Sequence, residues 1–490
     1  MGRKKKIIFV CIIFILFTNV AILLRYLIFF YQPYCFKDWE GDPNWEPPQY
    51  YKEGIADSKV EECARYAGDN IEFSQCCNGK YRYIYDAEND VYDDSDYNIV
   101  RHAGTTYAIL DLYKELGEEK YLSVGLAGLE YLLEFTYKIN LNEWAINYNT
   151  KMKVGTVSLA ILGMVKYWQA TGNERYNIYV EKFANFIVSQ QRDDGAFAGV
   201  YGKKEENLYY SGEAFFALAM AYDMLEKKEY LKTIEDALEF YWSSDYDYDE
   251  SAFIPWASSG CAKWYRLTDN KEFRDFCFEM TDIQITRQYL GDELDELGNP
   301  IYGCINGPTV NTAVYLEGIG DALRIAKSEE DTERINNYQS ALKAGIEWVL
   351  SLQFRKEKQL GRPIRGYGGF HRGFVVDDAY LIRIDYTQHA ISAILRVLRE
   401  FSKEEIESIE IRNGKVDFKP KKSESFSNLY VLLSLIIAAI VIPCLVFIHY
   451  VKKYIPSIEI LKPEKKANKS LKLKLKKKRR DILNNFKTRF

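Results

Sequence analysis

Leu116-Gly117-Glu118-Glu119-Lys120-Tyr121 returns as Thr171-Gly172-Asn173-Glu174-Arg175-Tyr176, as Leu225-Glu226-Lys227-Lys228-Glu229-Tyr230 and as Thr268-Asp269-Asn270-Lys271-Glu272-Phe273. A looser copy runs from Ser328 to Arg334, and Ser402-Lys403-Glu404-Glu405 reads as the last joint of the series. Each copy follows a segment whose apolar residues recur at helical spacing, such as Ala108-Ile109-Leu110-Asp111-Leu112-Tyr113. Self-similarity of this kind marks a fold built from one repeated supersecondary unit, here a helix hairpin.

The two helices of each hairpin differ. The one before the joint is apolar all round and rich in Gly, Ala and Ser, as in Ser211-Gly212-Glu213-Ala214-Phe215-Phe216-Ala217-Leu218-Ala219-Met220. Such a helix is buried on every side. The one after the joint alternates apolar and charged residues, as in Tyr230 to Tyr241, and keeps one wet face. The buried helices open on a polar residue followed by a small or branched one: His102-Ala103, Thr156-Val157, Glu213-Ala214, Cys261-Ala262, Thr312-Ala313 and His389-Ala390, spaced by 54, 57, 48, 51 and 77 residues. Six such units predict an all-α (α/α)6 toroid, an inner ring of six helices inside an outer ring. A superhelical solenoid is the rival, but it leaves a wet face on both helices of each pair.

The joints are tight, whereas the returns to the next buried helix are long: residues 137–154, 190–210, 241–259, 287–310 and 353–383. Long ordered loops are usually functional. All of them gather at the N-terminal ends of the inner helices, which carry partial positive charge and free N–H groups. That end is the expected ligand site.

Outward from the repeat, two apolar runs flank it. Residues 7–30 and 429–450 are each long enough to cross roughly 30 Å of hydrocarbon at about 1.5 Å per residue. The first run has no small-x-small cleavage site, which favours an uncleaved anchor over a signal peptide. Arg3 to Lys6 precede the first span and Lys452-Lys453 follow the second, so the positive-inside rule puts both termini in the cytoplasm. The expected order is a cytoplasmic N-terminus (1–6), a transmembrane helix (7–30), a Cys-containing extracytoplasmic lead-in (31–94), the toroid (95–410), a linker (411–428), a second transmembrane helix (429–450) and a basic cytoplasmic tail (451–490). The tail, with Lys476-Lys477-Lys478-Arg479-Arg480, would lie against anionic lipid headgroups.

The net charge of −5 conceals this asymmetry. Arg3 to Lys6 carry four positive charges, and residues 451–490 carry fifteen against three acidic ones, leaving −21 for residues 7–450. A field of that sign repels nucleic acid. Aromatic content is 15%, with 39 Tyr and 27 Phe, a composition suited to gripping sugar rings but equally the product of an AT-rich genome. Of nine cysteines, Cys11 and Cys444 fall in the apolar runs; the seven outside are free to form disulfides and, being odd in number, leave one thiol over. Their spacing does not suit zinc, and no metal or cofactor is expected.

The repeat, the joints and segments such as Gln191-Arg192-Asp193-Asp194-Gly195-Ala196-Phe197 and Tyr209-Tyr210-Ser211-Gly212-Glu213-Ala214 resemble the six-hairpin glycosidase-like superfamily over residues of about 95 to 405. The resemblance implies an enzyme acting on carbohydrate (a hydrolase, lyase or epimerase) with acidic or aromatic residues lining a funnel. The glycine-aromatic returns are also faintly similar to terpene cyclases and prenyltransferases, whose aspartate-rich motifs are missing here.

Glycoside hydrolysis needs a carboxyl proton donor and a second carboxylate across a cleft. Glu213, acidic in an otherwise apolar helix, Asp194, in the Asp193-Asp194-Gly195 turn, and Asp378 are the catalytic candidates; Asp385 is a fourth acid. The plain alternatives are a dipole-favoured first-turn carboxylate for Glu213, turn chemistry for Asp194 and an N-cap for Asp385. His102 and His389 fall at matching repeat positions and suggest a shared polar lining, against the alternative of satisfied core histidines. Tyr210, Trp256 and Tyr386 are candidate stacking platforms, as are Tyr209 and Tyr367, against simple burial. Arg365 and Arg372 suit a carboxylate or sulfate. Three functions follow: a membrane-anchored glycoside hydrolase; a uronyl C5-epimerase or lyase using Tyr or His, to which Asp385-Tyr386-Thr387-Gln388-His389 is similar; and a non-catalytic glycan-binding or scaffold protein.

Overall fold

The structure is a computed structural model that describes residues 60–89, 91–243, 252–355, 365–375 and 379–412. The chain divides into two compact units, Met1–Lys421 and Lys422–Phe490, and every described residue belongs to the first. Both apolar runs lie outside the described residues; among those described, no helix is long and apolar enough to cross a membrane.

Helix α1 (Val60–Ser74) leads, followed by strands β1 (Ile84–Asp86) and β2 (Val91–Asp93). Hairpins then succeed one another: α2 (Ile99–Leu116) with α3 (Glu119–Leu133), α4 (Val154–Thr171) with α5 (Asn177–Ser189), and α6 (Leu208–Leu225) with α7 (Lys228–Tyr241). They continue as α8 (Ile254–Thr268) with α9 (Lys271–Ile285) and α10 (Thr312–Ser328) with α11 (Thr332–Ser351), and end in α12 (Ile384–Glu400) and the short α13 (Lys403–Glu407). Strands β3 (Thr136–Lys138), β4 (Trp144–Tyr148) and β5 (Lys151–Met152) form one three-stranded antiparallel sheet within a long return. Strand β6 (Leu381–Arg383) joins β1 and β2 in the other, with Ile84 opposite Arg383 and Tyr85 opposite Ile382.

Helices α2, α4, α6, α8, α10 and α12 each pack on the next, and α12 packs back on α2, closing the inner ring. Their apolar sequences are why: from Val154 to Tyr167 every residue of α4 is buried. The joints are left-handed caps. Gly117, Gly172, Glu226 and Asp269 sit at φ 69°, 68°, 52° and 57°, each donating its N–H to the carbonyl four residues back, which ends the inner helix and reverses the chain.

One expectation is corrected. The segment after Ser402 does not supply the sixth outer helix; it forms the single-turn α13. The helix that covers α12 is α1, from the segment read as a lead-in. The ring is thus completed by its first helix packing on its last.

A second repeat is invisible as helix periodicity. Gln75, Gln191, Gln288 and Gln353, each just past an outer helix, donate to Gly79, Gly195, Gly303 and Gly368 carbonyls across a local turn. The same amides also donate to a carbonyl of the following outer helix: Val124, Thr233, Ala341 and Cys63. Each glycine has positive φ (80–95°), and a Cβ there would strike the carbonyl of Ala127, Asp236, Ala344 or Tyr66, three residues beyond the acceptor on the outer helix. Four returns are therefore clasped to the outer ring by one device.

Candidate active site

At the N-terminal ends of the inner helices, Asn98 and Asn207 cap α2 and α6 by accepting from the N–H groups of Val100 and Tyr210. The cap on α6 brings Tyr209, Tyr210 and Glu213 to this mouth. Glu213 is 4% exposed, and its Oε2 lies where a Cβ on Gly155 of α4 would come within 2.3 Å, as close as that Cβ would be to Tyr210. A side chain at 155 would evict the carboxyl. Oε2 has no hydrogen-bond partner, and burial holds the group well above the ordinary carboxylate range. Burial thus favours the protonated form of Glu213, the form required of a proton donor.

Glu317 on α10 and His389 on α12 make the second feature. Like Glu213, each is the sixth residue of its inner helix. His389 Nδ1 lies 2.7 Å from Glu317 Oε1, nearer than the Gln388 amide at 3.2 Å. With the carboxylate accepting from Nδ1–H, the neutral imidazole carries its lone pair on Nε2, the arrangement of a general base. The imidazole is edge-on to Trp256, ring centres 5.9 Å apart. Glu317 was not among the sequence candidates.

Asp385 follows β6. It accepts from Arg383 Nε at 2.6 Å and Nη2 at 2.9 Å, and pairs with Arg101 of α2 at 3.2 Å. Burial alone would raise its carboxyl; Arg383 and Arg101 reverse this and hold it below its ordinary value. Arg383 also lies over Tyr386, 4.2 Å from the ring centre. Tyr209, 51% exposed at the rim, ties these groups together. Partial burial first and Tyr315 second raise its phenol, Arg101 draws it down, and the neighbouring Glu213 and Asp385 carboxyls oppose its ionisation. Tyr210 is pushed up to about 12, by burial first and Glu213 second.

The other candidates are placed elsewhere. His102 is fully buried: Nε2 donates to the Gly128 carbonyl at 3.0 Å, Nδ1 accepts from the Tyr97 hydroxyl at 2.6 Å, and burial lowers its pKa to about 3. It is a satisfied core histidine. Asp194 is bonded to Arg192 and to the Ala196 N–H within a clasp turn that abuts outer helix α7. Arg365 belongs to the last clasp, its carbonyl accepting from Asn70 of α1, and Tyr367 packs edge-on against Tyr66 there. Asp378 lies outside the described residues. Trp256 and Tyr386 are nearly buried, beside His389 and under Arg383.

Deeper along the axis, Asp111 receives Lys166 (2.8 Å) and Arg399 (2.9 Å), while Arg396 pairs with Asp321 (3.2 Å) and reaches Glu317 (3.9 Å). A cavity of about 260 Å³ opens below this network, at the C-terminal ends of the inner helices.

The closed ring of helix hairpins is an (α/α)6 toroid, and solved structures of sugar-acting proteins share the fold. The α-1,6-mannanase GH76A of Salegentibacter sp. HEL1_6 is similar to it at TM-score 0.51 and 11% identity, over 70% of this chain and all of that one. Cellobiose 2-epimerase from Bacillus thermoamylovorans B4167 is similar at TM-score 0.51 and 12% identity, over 69% of this chain and 99% of its own. A sugar epimerase from a ruminal bacterium is similar at TM-score 0.51 and 12% identity, over 70% and 99%. No protein-family model and no curated protein matches the sequence, so these likenesses establish the fold and no family.

Proposed function

We propose that this chain is a carbohydrate-active enzyme, a glycoside hydrolase-like protein held by two membrane spans (residues 7–30 and 429–450) with the toroid outside and both termini in the cytoplasm. One observation carries the enzymatic reading: a buried Glu213, its protonated form favoured, at the same mouth as a Glu317–His389 pair. In this reading Glu213 gives its proton to the glycosidic oxygen. His389, oriented by Glu317 and packed against Trp256, takes a proton from the attacking water, while Tyr209 and Tyr210 hold sugar rings. That structurally similar proteins include a mannanase and sugar epimerases supports carbohydrate as the ligand class. The basic tail, in this topology, meets anionic lipid. A disulfide at Cys77 suits an oxidising exterior.

The His389–Glu317 pair also favours a second reading. A lone pair on Nε2 beside an indole face can take a proton from a sugar carbon, which is epimerisation or β-elimination rather than hydrolysis. Proton NMR of oligosaccharides in D2O separates the two. New reducing-end signals lost on Glu213→Gln establish hydrolysis. Exchange of a ring proton, or a new vinyl signal, that is lost on His389→Asn but survives Glu213→Gln establishes the other chemistry. Turnover that survives Glu213→Gln, His389→Asn and Asp378→Asn alike would remove the site from this mouth.

A further inference from the structure

The two ends of the inner ring carry cations of different kinds. Around the cavity at the C-terminal end, Lys166, Lys263, Arg324, Arg396 and Arg399 each have a carboxylate behind them: Asp111, Asp223, Glu400 and Asp321 among others. The inner helices also point their negative ends there, roughly half a charge apiece. Those five cations are therefore already engaged.

The mouth differs. Arg101 and Arg383 share the single carboxylate Asp385. Lys153, the residue preceding α4, is half-buried and has no ion-pair partner among the described residues. Its ammonium is held below its ordinary pKa by burial, then by Lys151 and Arg101, with exposed Asp96 the one carboxylate that offsets them. Two residues on, Gly155 abuts Glu213 and Tyr210, so Lys153 stands at the same opening as the proposed proton donor. Burial disfavours the charged form of Glu213, which therefore offsets little of this, and the positive ends of the inner helices add to it. An unpaired, partly desolvated lysine is costly unless something anionic occupies the site.

We propose that Lys153 and Arg101 at the mouth of the inner ring receive the carboxylate of an acidic sugar, making the substrate a uronate-containing glycan. This rests on the mouth being the carbohydrate site. An ammonium and a guanidinium at a partly buried rim suit a carboxylate on a ring whose glycosidic bond or C5 proton lies further in, toward Glu213 and His389.

The full-length chain in non-ionic detergent would be titrated calorimetrically with oligosaccharides of glucuronic, galacturonic and mannuronic acid. Each is paired with its carboxyl-reduced, neutral counterpart, a probe of the same connectivity without the charge. At least one acidic member should bind tenfold or more tightly than its neutral partner at 50 mM salt, with the gap narrowing at 500 mM. Lys153→Ala should close most of that gap by weakening the acidic probe, and Lys153→Arg should keep it; the melting temperature reports whether each variant is folded. Equal binding of acidic and neutral probes, or a Lys153→Ala loss shared equally by both, overturns the uronate inference and leaves the mouth as a sugar site. Binding of neither kind across the panel overturns both.

Discussion

Glu213 couples the proposed chemistry to stability in a way that can be measured without a substrate. Its folded-state pKa lies above the unfolded value of about 4.3. Below that pH both states hold the proton. Above it the unfolded chain releases the proton while the folded chain keeps it, so stability falls as pH rises, by up to about 1.4 kcal/mol per pH unit. Glu213→Gln has nearly the same shape and no proton to keep. Its gain over the parent should be near zero at pH 4.5 and clear at pH 7.5 in denaturant midpoints. An equal gain at both pH values would mean that the carboxyl is ionised in the folded state. The sequence signal for this residue, an acid inside an apolar helix, applies equally to Glu317. The repeat pattern of a polar residue followed by a small one is met twice in that helix, by Thr312-Ala313 and by Glu317-Gly318, and helical periodicity does not choose between two such matches in one helix. The matching of His102 with His389 fails for a related reason. His102 is the fourth residue of its helix and His389 the sixth, and on a helix two residues is about 200° of rotation, from mouth to core.

The joints were legible because their chemistry is local. A left-handed cap follows four of the six inner helices, and Gly117 and Gly172 announce it at two of them. At Glu226 and Asp269 the same conformation is imposed on residues with a Cβ, at a cost of about 1–2 kcal/mol per residue. Glu226→Gly should therefore stabilise the protein, by about 1 kcal/mol once the extra freedom of glycine in the unfolded chain is subtracted. A thermal midpoint a few degrees higher would bear this out, and a lower one would show that the Glu226 side chain contributes contacts outweighing the strain. The clasps and α1 were not legible, because they depend on tertiary partners. Gln288 and Gly303 stand fifteen residues apart and Gln353 and Gly368 likewise, whereas Gln75–Gly79 and Gln191–Gly195 are separated by four. A device with such variable spacing leaves no fixed period. Helix α1 has the composition of any amphipathic segment, and what makes it the sixth outer helix is a contact with α12 more than three hundred residues later.

At the scale of the whole molecule, the toroid has a seam between its last inner helix, α12, and its first, α2, and ions cross it. Asp111 of α2 is fully buried and holds Arg399 of α12 and Lys166 of α4, with Arg396 of α12 at 3.8 Å. Burial would raise the Asp111 carboxyl, yet Arg399 and Lys166 hold it well below its ordinary value. A depressed carboxylate contributes stability that is present above its unfolded pKa of about 3.9 and is lost as pH falls through the folded value. At neutral pH, Asp111→Asn leaves buried cations without their counter-charge and should cost about 3–5 kcal/mol, against near-neutral effects for charges on the outer faces. Part of that loss is the stranded charge and part is the seam, and a second substitution separates them. Lys166 belongs to α4, away from the seam, and burial lowers its ammonium to about 8, so it readily becomes neutral. Adding Lys166→Met to Asp111→Asn removes one stranded cation without touching α12. If most of the lost stability returns, the network matters as a local charge balance. If it does not, the pairing of Asp111 with Arg399 is what keeps a ring of six helices closed, and the double variant should also unfold less cooperatively, with a shallower denaturant slope than either parent.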